Sequence, residues 1–146
     1  MPSMNERALR LEVASDADIV PARAEGRALA TELGFSRTDA TLVATAISEI
    51  ARNIVVHAGR GEIELTPAYE PDRRGVVVIA RDQGPGIRDV DAALTEGHGT
   101  KGGLGLGLPG ARRIMDEFVI DTAPNRGTTV TMHMWRDVHE LDGSRR

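Results

Sequence analysis

The fold is decided by one glycine-rich stretch, Gly102-Gly103-Leu104-Gly105-Leu106-Gly107-Leu108, which leads into a helical segment. A loop this rich in glycine loses much backbone entropy on folding, so it needs a functional reason. Its consecutive backbone N–H groups, together with the positive end of the following helix, form a cradle for phosphates. No strand directly precedes these glycines, as a dinucleotide-binding fold requires, and the pattern G-x-x-x-x-G-K-[ST] is absent. The stretch therefore predicts a phosphate site that differs from both of these known patterns.

A second glycine motif, Asp82-Gln83-Gly84-Pro85-Gly86, lies upstream at the end of an apolar segment. Its two glycines allow the backbone to turn and to approach a ligand closely. The carboxylate of Asp82 can accept hydrogen bonds from a donor-rich group such as the exocyclic amine of a purine. An ordinary Asp-Gly-Pro turn explains the motif equally well when it is taken alone.

Two further motifs carry polar side chains at helical or strand positions. Glu49 and Asn53 are four residues apart on a predicted helix, so they lie about one turn from each other at the edge of its apolar stripe. An amide oxygen suits Mg²⁺, and a nearby carboxylate can act as a base. Taken alone, the pair is more typical of an ordinary polar helix rim. Gly127-Thr128-Thr129 opens the last predicted strand, where β-branched residues are common without any site.

The hydrophobic pattern predicts alternating elements. Helices are expected at residues 19–33, from Ser36 or Thr38 to about residue 57, and from about residue 106 to 117; strands are expected at residues 7–15, 62–66, 75–80, 119–122 and 128–134. They predict an α/β two-layer sandwich, in which about three helices cover one face of a mixed, mostly antiparallel sheet. We expect one domain over residues 1–136 and a polar tail over residues 137–146.

The composition argues against several classes of protein and of binding site. The chain has no cysteine, so neither a disulfide framework nor a Cys-based zinc site is possible, and its net charge of -4 gives no nucleic-acid footprint. Its apolar runs are too short to span a bilayer, and its first ten residues lack the apolar region of a signal peptide. We expect a cytoplasmic protein with neither nucleic acid nor membrane as a partner.

Taken together and in order, the four motifs resemble the N box and the three glycine boxes of the GHKL ATPases, across roughly residues 40–134. The resemblance implies the Bergerat ATP-binding fold, with ATP and Mg²⁺ as ligands. It implies that Glu49 is the general base, or the group that orients the attacking hydroxyl, and that Asn53 binds Mg²⁺. It implies that Asp82 binds the adenine amine, with Thr128 supporting it through water. The nucleotide-contacting residues that it implies are Asn53, Asp82, Gly84, Gly86, Lys101, Gly103, Leu104, Gly105, Leu106, Gly107 and Thr128, with an ATP lid between Gly86 and Gly102.

Within that superfamily, 146 residues leave no room for the helices that carry the phospho-acceptor of a histidine kinase, and His57 is expected to be a core residue or a helix cap. The segments 48–54, 103–118 and 127–135 resemble the RsbT-type serine/threonine switch kinases. That resemblance implies phosphorylation of a Ser or Thr on a STAS-domain partner in the bacterial stress response, and activation of a PP2C-type phosphatase. An RsbW-type anti-sigma factor that binds a sigma factor, a nucleotide-binding module without catalysis, and a detached histidine-kinase domain remain alternatives.

Overall fold

The computed structural model describes residues 8–87, 89–94 and 107–141. The strands within these ranges are β1 (Leu9–Val13), β2 (Gly61–Glu70), β3 (Arg73–Asp82), β4 (Glu117–Thr122) and β5 (Thr128–Asp137). The α-helices are α1 (Ile19–Glu32), α2 (Arg37–His57), the one-turn α3 (Val90–Ala93) and α4 (Gly107–Ile114). Single turns of 3₁₀ helix lie at Asp16–Asp18 and Val138–Glu140.

The five strands form one sheet in the order β1-β2-β3-β5-β4, and each of the four pairings is antiparallel. β2 and β3 are longer than the sequence predicts, because they continue to a tight turn at Pro71 and Asp72. Pro67 is tolerated within β2 because it lies past Leu65, the last residue of that strand that pairs with β1. At the opposite end of the sheet, Asp82 is the register partner of both Gly61 and Thr128.

The helices begin and end where local chemistry dictates. Gly34, with φ of 93°, follows the end of α1 in the left-handed conformation that glycine adopts without strain. The hydroxyl of Ser36 accepts a hydrogen bond from the Asp39 backbone N–H at 3.0 Å and so caps α2. Where α1 crosses α2, a Cβ on Gly26 would overlap the side chain of Ile47, so the two helices approach through a glycine.

One continuous core lies between the helices and the sheet. The inward residues of the central strands alternate with outward ones and pack against the apolar face of α2. The nearly inaccessible residues of the strands include Ile63, Leu65, Val76, Val78, Val130, Met132 and Met134, and those of α2 include Val43, Ile47, Ile50 and Ile54. The predicted two-layer α/β sandwich is confirmed. No helix in the described ranges is both long and apolar enough to cross a membrane.

The segment expected to be a polar tail begins with ordered structure. The backbone N–H of Val138 donates to the Asp72 carbonyl at 2.9 Å, and Leu141 is only 5% exposed within the core. Burial of that leucine and the backbone hydrogen bond to the β2–β3 turn hold residues 138–141 against the domain.

An ion pair joins the first turn of α2 to the end of β5. Arg136 donates from Nε to Asp39 Oδ2 at 2.8 Å and from Nη2 to Oδ1 at 3.0 Å, which is the forked geometry of a strong pair. The hydrogen bonds from Arg136 lower the pKa of the Asp39 carboxyl below its ordinary value of 3.8, although partial burial acts in the other direction. The same guanidinium reaches Asp116 at 3.2 Å, so α2, β5 and the segment between α4 and β4 meet there.

Trp135, the only tryptophan, lies on the sheet face opposite the helices. Its ring covers Gly75, where a Cβ would lie 2.7 Å from the indole. The Arg73 guanidinium stands 3.8 Å from the ring centroid, and the indole N–H donates to Glu117 at 2.9 Å.

Candidate active site

A cavity of about 270 Å³ opens where α2, α3, α4 and the loop after β3 meet. The last two turns of α2 supply Asn53 and His57, and the loop supplies residues 85–87. Asp89 and residues 92–93 close one side, and Gly107 and Leu108 at the start of α4 close another. The cavity therefore has a carboxylate, an amide and an imidazole beside the N-terminal end of a helix, which is the end that attracts anions.

Glu49 lies one turn before Asn53 and is only 8% exposed. Its Oε1 accepts a hydrogen bond of 2.9 Å from the backbone N–H of Gly107, the first residue of α4. The guanidinium of Arg52 lies 3.6 Å from the same oxygen. A backbone N–H at a helix N-terminus has no intrahelical partner, so a carboxylate there meets both an unsatisfied donor and the helix dipole.

The loop after β3 is held by the last side chain of that strand. Asp82 Oδ1 accepts a hydrogen bond from the Gly84 backbone N–H at 2.9 Å. A Cβ on Gly84 would lie 2.6 Å from the Cβ of Ala58, so this glycine lets the loop pack on the end of α2. Gly86 has φ of 80°, and a Cβ there would overlap the carbonyl of Ala123. Both glycines thus have a packing reason within the protein, whatever they do for a ligand.

The hydroxyl of Thr122 ties this loop to the β4–β5 hairpin. It accepts from the Ile87 N–H at 2.9 Å, donates to the Gly127 carbonyl at 3.0 Å, and lies 2.8 Å from the hydroxyl of Thr128. Thr128 itself is 6% exposed. The sequence does not indicate this role of Thr122, because a threonine at the end of a strand carries no signal of three partners from other segments.

The structure brings some of the predicted residues together. Asn53, Gly86 and Gly107 line the cavity, and Glu49 contacts Gly107 behind it. Asp82 and Thr128 face each other in the sheet register but stand outside the described lining of that cavity; Asp82 instead borders a separate groove of about 540 Å³, shared with Arg60 and Arg81. The predicted contacts at Lys101, Gly103, Leu104, Gly105 and Leu106, and most of the predicted lid, lie outside the described residues.

Of the two roles expected for His57, that of a core residue is wrong, while its position as the last residue of α2 is the one that a helix cap would have. His57 is exposed and borders the cavity, although it falls on the apolar side of α2 by helical spacing. Helical periodicity predicts which side of a helix is apolar, but it does not predict how far along the helix that side stays covered by the rest of the protein. Ile54 is the last buried residue of α2, so His57 lies beyond the covered part.

Comparison with known proteins assigns the family. The model of the histidine kinase-like ATPase domain matches residues 13–134, which contain the whole cavity and most of the sheet. The chain belongs to the histidine kinase-like ATPase family. The predicted GHKL class and its fold are thereby confirmed.

Similar proteins indicate which members of this family the chain resembles. The chain is 42% identical to serine/threonine-protein kinase RsbT of Bacillus subtilis (strain 168) over 132 residues, which cover 90% of this chain and 98% of that protein. It is 30% identical to an anti-sigma F factor of Bacillus licheniformis over 122 residues, 77% of this chain and 82% of that protein. The catalytic domain of the histidine kinase ThkA matches 86% of this chain and 95% of its own, with a TM-score of 0.48 and 16% identity. The identity to RsbT confirms the prediction of an ATP-dependent serine/threonine-protein kinase.

Proposed function

We propose that this chain phosphorylates a serine or threonine of a STAS-domain partner with ATP and Mg²⁺, and that it also activates a PP2C-type phosphatase. The observation that carries this proposal is the placement of Glu49 and Asn53, one turn apart, where α2 meets the N-terminal end of α4. The 42% identity to RsbT over nearly its whole length supports a partner-switching role. The cytoplasmic location expected from the sequence belongs to the same proposal.

The residues at the cavity fit a nucleotide with its magnesium ion. Mg²⁺ keeps several waters and takes one or two protein oxygens beside substrate phosphates, so the Asn53 amide in the cavity wall is a suitable ligand. The bound ion would neutralise charge on the phosphates. Asn53 would hold it, and the start of α4 would face the phosphate chain together with the glycines before it.

The other predicted contacts complete this picture. Asp82 would accept from the adenine amine, with Thr128 supporting it through water, and Gly84 and Gly86 would let the backbone approach the base. Lys101, Gly103, Leu104, Gly105, Leu106 and Gly107 would contact the nucleotide phosphates. The register pairing of Asp82 with Thr128 supports a joint role for those two residues.

The chemical step is a phosphoryl transfer between two oxygens. The acceptor hydroxyl oxygen forms a bond to the γ-phosphorus while the bond from that phosphorus to the β,γ-bridging oxygen breaks, and ADP leaves. The hydroxyl proton passes to the Glu49 carboxylate, and the product is a phosphoserine or phosphothreonine. Since such transfer is mostly positioning, a docked partner that supplies its hydroxyl forms part of the site.

Two variants and a substrate panel test the proposal. Asn53→Ala should lose Mg-ATP binding, measured by calorimetry, together with activity. Glu49→Ala should keep nucleotide binding while losing transfer to purified STAS domains; equal losses of both would remove Glu49 from the chemistry. If the wild-type protein with Mg-ATP forms neither phosphoserine nor phosphothreonine on any STAS domain, the substrate assignment fails.

The similarity to an anti-sigma F factor supports a second candidate function, in which the chain sequesters a sigma factor and phosphorylates an anti-anti-sigma STAS protein. Size-exclusion chromatography with purified sigma factors separates the two. A stable complex in the absence of any STAS protein favours the second candidate, and elution of the chain apart from every sigma factor favours the first. Acid-labile phosphohistidine on a partner would instead indicate histidine-kinase chemistry.

A further inference from the structure

The two oxygens of Glu49 have unequal surroundings. Both contacts described above, the Gly107 N–H at 2.9 Å and the Arg52 guanidinium at 3.6 Å, fall on Oε1. Neither of these two contacts falls on Oε2. A general base needs one oxygen held in place while the other takes the incoming proton, and the two contacts on Oε1 meet the first need.

Arg52 contributes little to the stability of the domain. Its side chain is 43% exposed and lies one helical turn from Glu49, and ion pairs this exposed stabilise a helix only slightly. Its position is more informative. It places a permanent positive charge beside the proposed base, immediately before the proposed magnesium ligand Asn53 in the sequence.

We propose that Arg52 is a positioning residue for phosphoryl transfer. Together with the Gly107 backbone N–H it fixes Oε1 of Glu49, so that Oε2 faces the acceptor hydroxyl and takes its proton. The inference rests on the proposed function, and it adds a residue that acts on the acceptor side of the reaction through Glu49. Arg52 acts on turnover and leaves ATP binding to other residues.

The geometry sets the size of the expected effect. A displacement of about 1 Å in a catalytic group can cost about 100-fold in rate, so Arg52→Gln should lower kcat by about 10- to 100-fold. The KM for ATP should change less than about threefold, because an interaction made only through the base acts in the transition state. Arg52→Lys keeps the charge on a shorter reach and should restore kcat to within about fivefold of wild type.

A double-mutant cycle with Glu49→Gln distinguishes positioning from a general structural role. If Arg52 acts through Glu49, adding Arg52→Gln to Glu49→Gln should lower single-turnover transfer from radiolabelled ATP no further. Arg112→Gln is the matched control, because it removes an exposed arginine from neighbouring α4, and its kcat should stay within about twofold of wild type.

Each outcome decides the question. Independent, multiplying effects of the two substitutions, a loss of ATP affinity equal to the loss of kcat, or an Arg52→Gln variant that turns over at the wild-type rate would overturn the role of Arg52. The cycle is run in parallel on slow ATP hydrolysis, where water replaces the acceptor hydroxyl. A wild-type protein that hydrolyses ATP but phosphorylates no partner refutes the proposed substrate, while the hydrolysis cycle still decides the role of Arg52.

Discussion

Replacing Thr122 with valine removes one hydroxyl and keeps the shape of the side chain. That hydroxyl joins the Ile87 N–H, the Gly127 carbonyl and the Thr128 hydroxyl at distances between 2.8 and 3.0 Å. A typical hydrogen bond contributes about 1 kcal/mol net, and a buried group left without a partner costs about 1–3 kcal/mol. Because the three contacts are only part-buried, water can recover some of the loss. We expect Thr122→Val to lower the free energy of unfolding by about 2–3 kcal/mol.

Urea denaturation followed by the fluorescence of the single tryptophan measures this change. Thr122→Ser is the control, because it keeps the hydroxyl and loses only a methyl group, and it should cost less than about 1 kcal/mol. Since Ile87 also lines the cavity, Thr122→Val should weaken Mg-ATP binding about tenfold, a change of about 1.4 kcal/mol. A valine variant within about 0.5 kcal/mol of wild type, or a serine variant that is equally damaged, would refute this account of the loop.

Substitutions test three further contacts, and the first of them has a control variant. Gly86→Ala should destabilise the fold by more than about 2 kcal/mol and weaken nucleotide binding, whereas Gly59→Ala, at a similar φ of 85° but with open space around it, should cost only about 1–2 kcal/mol, both measured by urea denaturation. Because Arg136 lowers the pKa of Asp39 in the folded state, that pair stabilises the protein above pH 4 and loses its effect as the pH falls below the ordinary carboxyl range; an Asp39→Asn variant should therefore be less stable than wild type by about 1–3 kcal/mol at pH 7, with the gap closing toward pH 2. A gap that stayed constant with pH would contradict this. Gly75→Ala should push the indole off the sheet, shift its emission to longer wavelength and cost about 1–3 kcal/mol; unchanged emission would contradict the packing.

The architecture was largely predictable because it depends on periodic patterns. The apolar stripe of α2, the Ser36 cap and the stop at Gly34 are local signals, and the structure follows them. The strand ends were less predictable. The predicted strands end before Pro67 and begin at Gly75, whereas β2 and β3 continue past these two residues, because an unpaired edge accommodates the proline and an indole covers the glycine.

The candidate site also has residues that the sequence singles out and residues that it does not. Glu49 and Asn53 are singled out by the resemblance of the four ordered motifs and not by their spacing alone, and the structure places both where α2 meets α4. The three contacts of Thr122 and the exposure of His57 depend on which segments meet in space, and local sequence contains no such information. The roles assigned to Asp82 and Thr128 rest on resemblance and stay predictions, since the described cavity is lined by other residues.

The hydrogen bond between Glu49 and Gly107 has a consequence for how this family varies. The donor is a main-chain N–H, which every amino acid except proline provides. Substitutions at position 107 other than proline therefore keep the same main-chain donor. The side chain at position 107 places no requirement on the residue at position 49 through this hydrogen bond. Correlated substitution between the two positions is not expected among homologues, so covariation would not detect this contact. A mutational scan would identify the carboxylate, whereas a loss at Gly107 would reflect its φ of 67° and not its role as the donor.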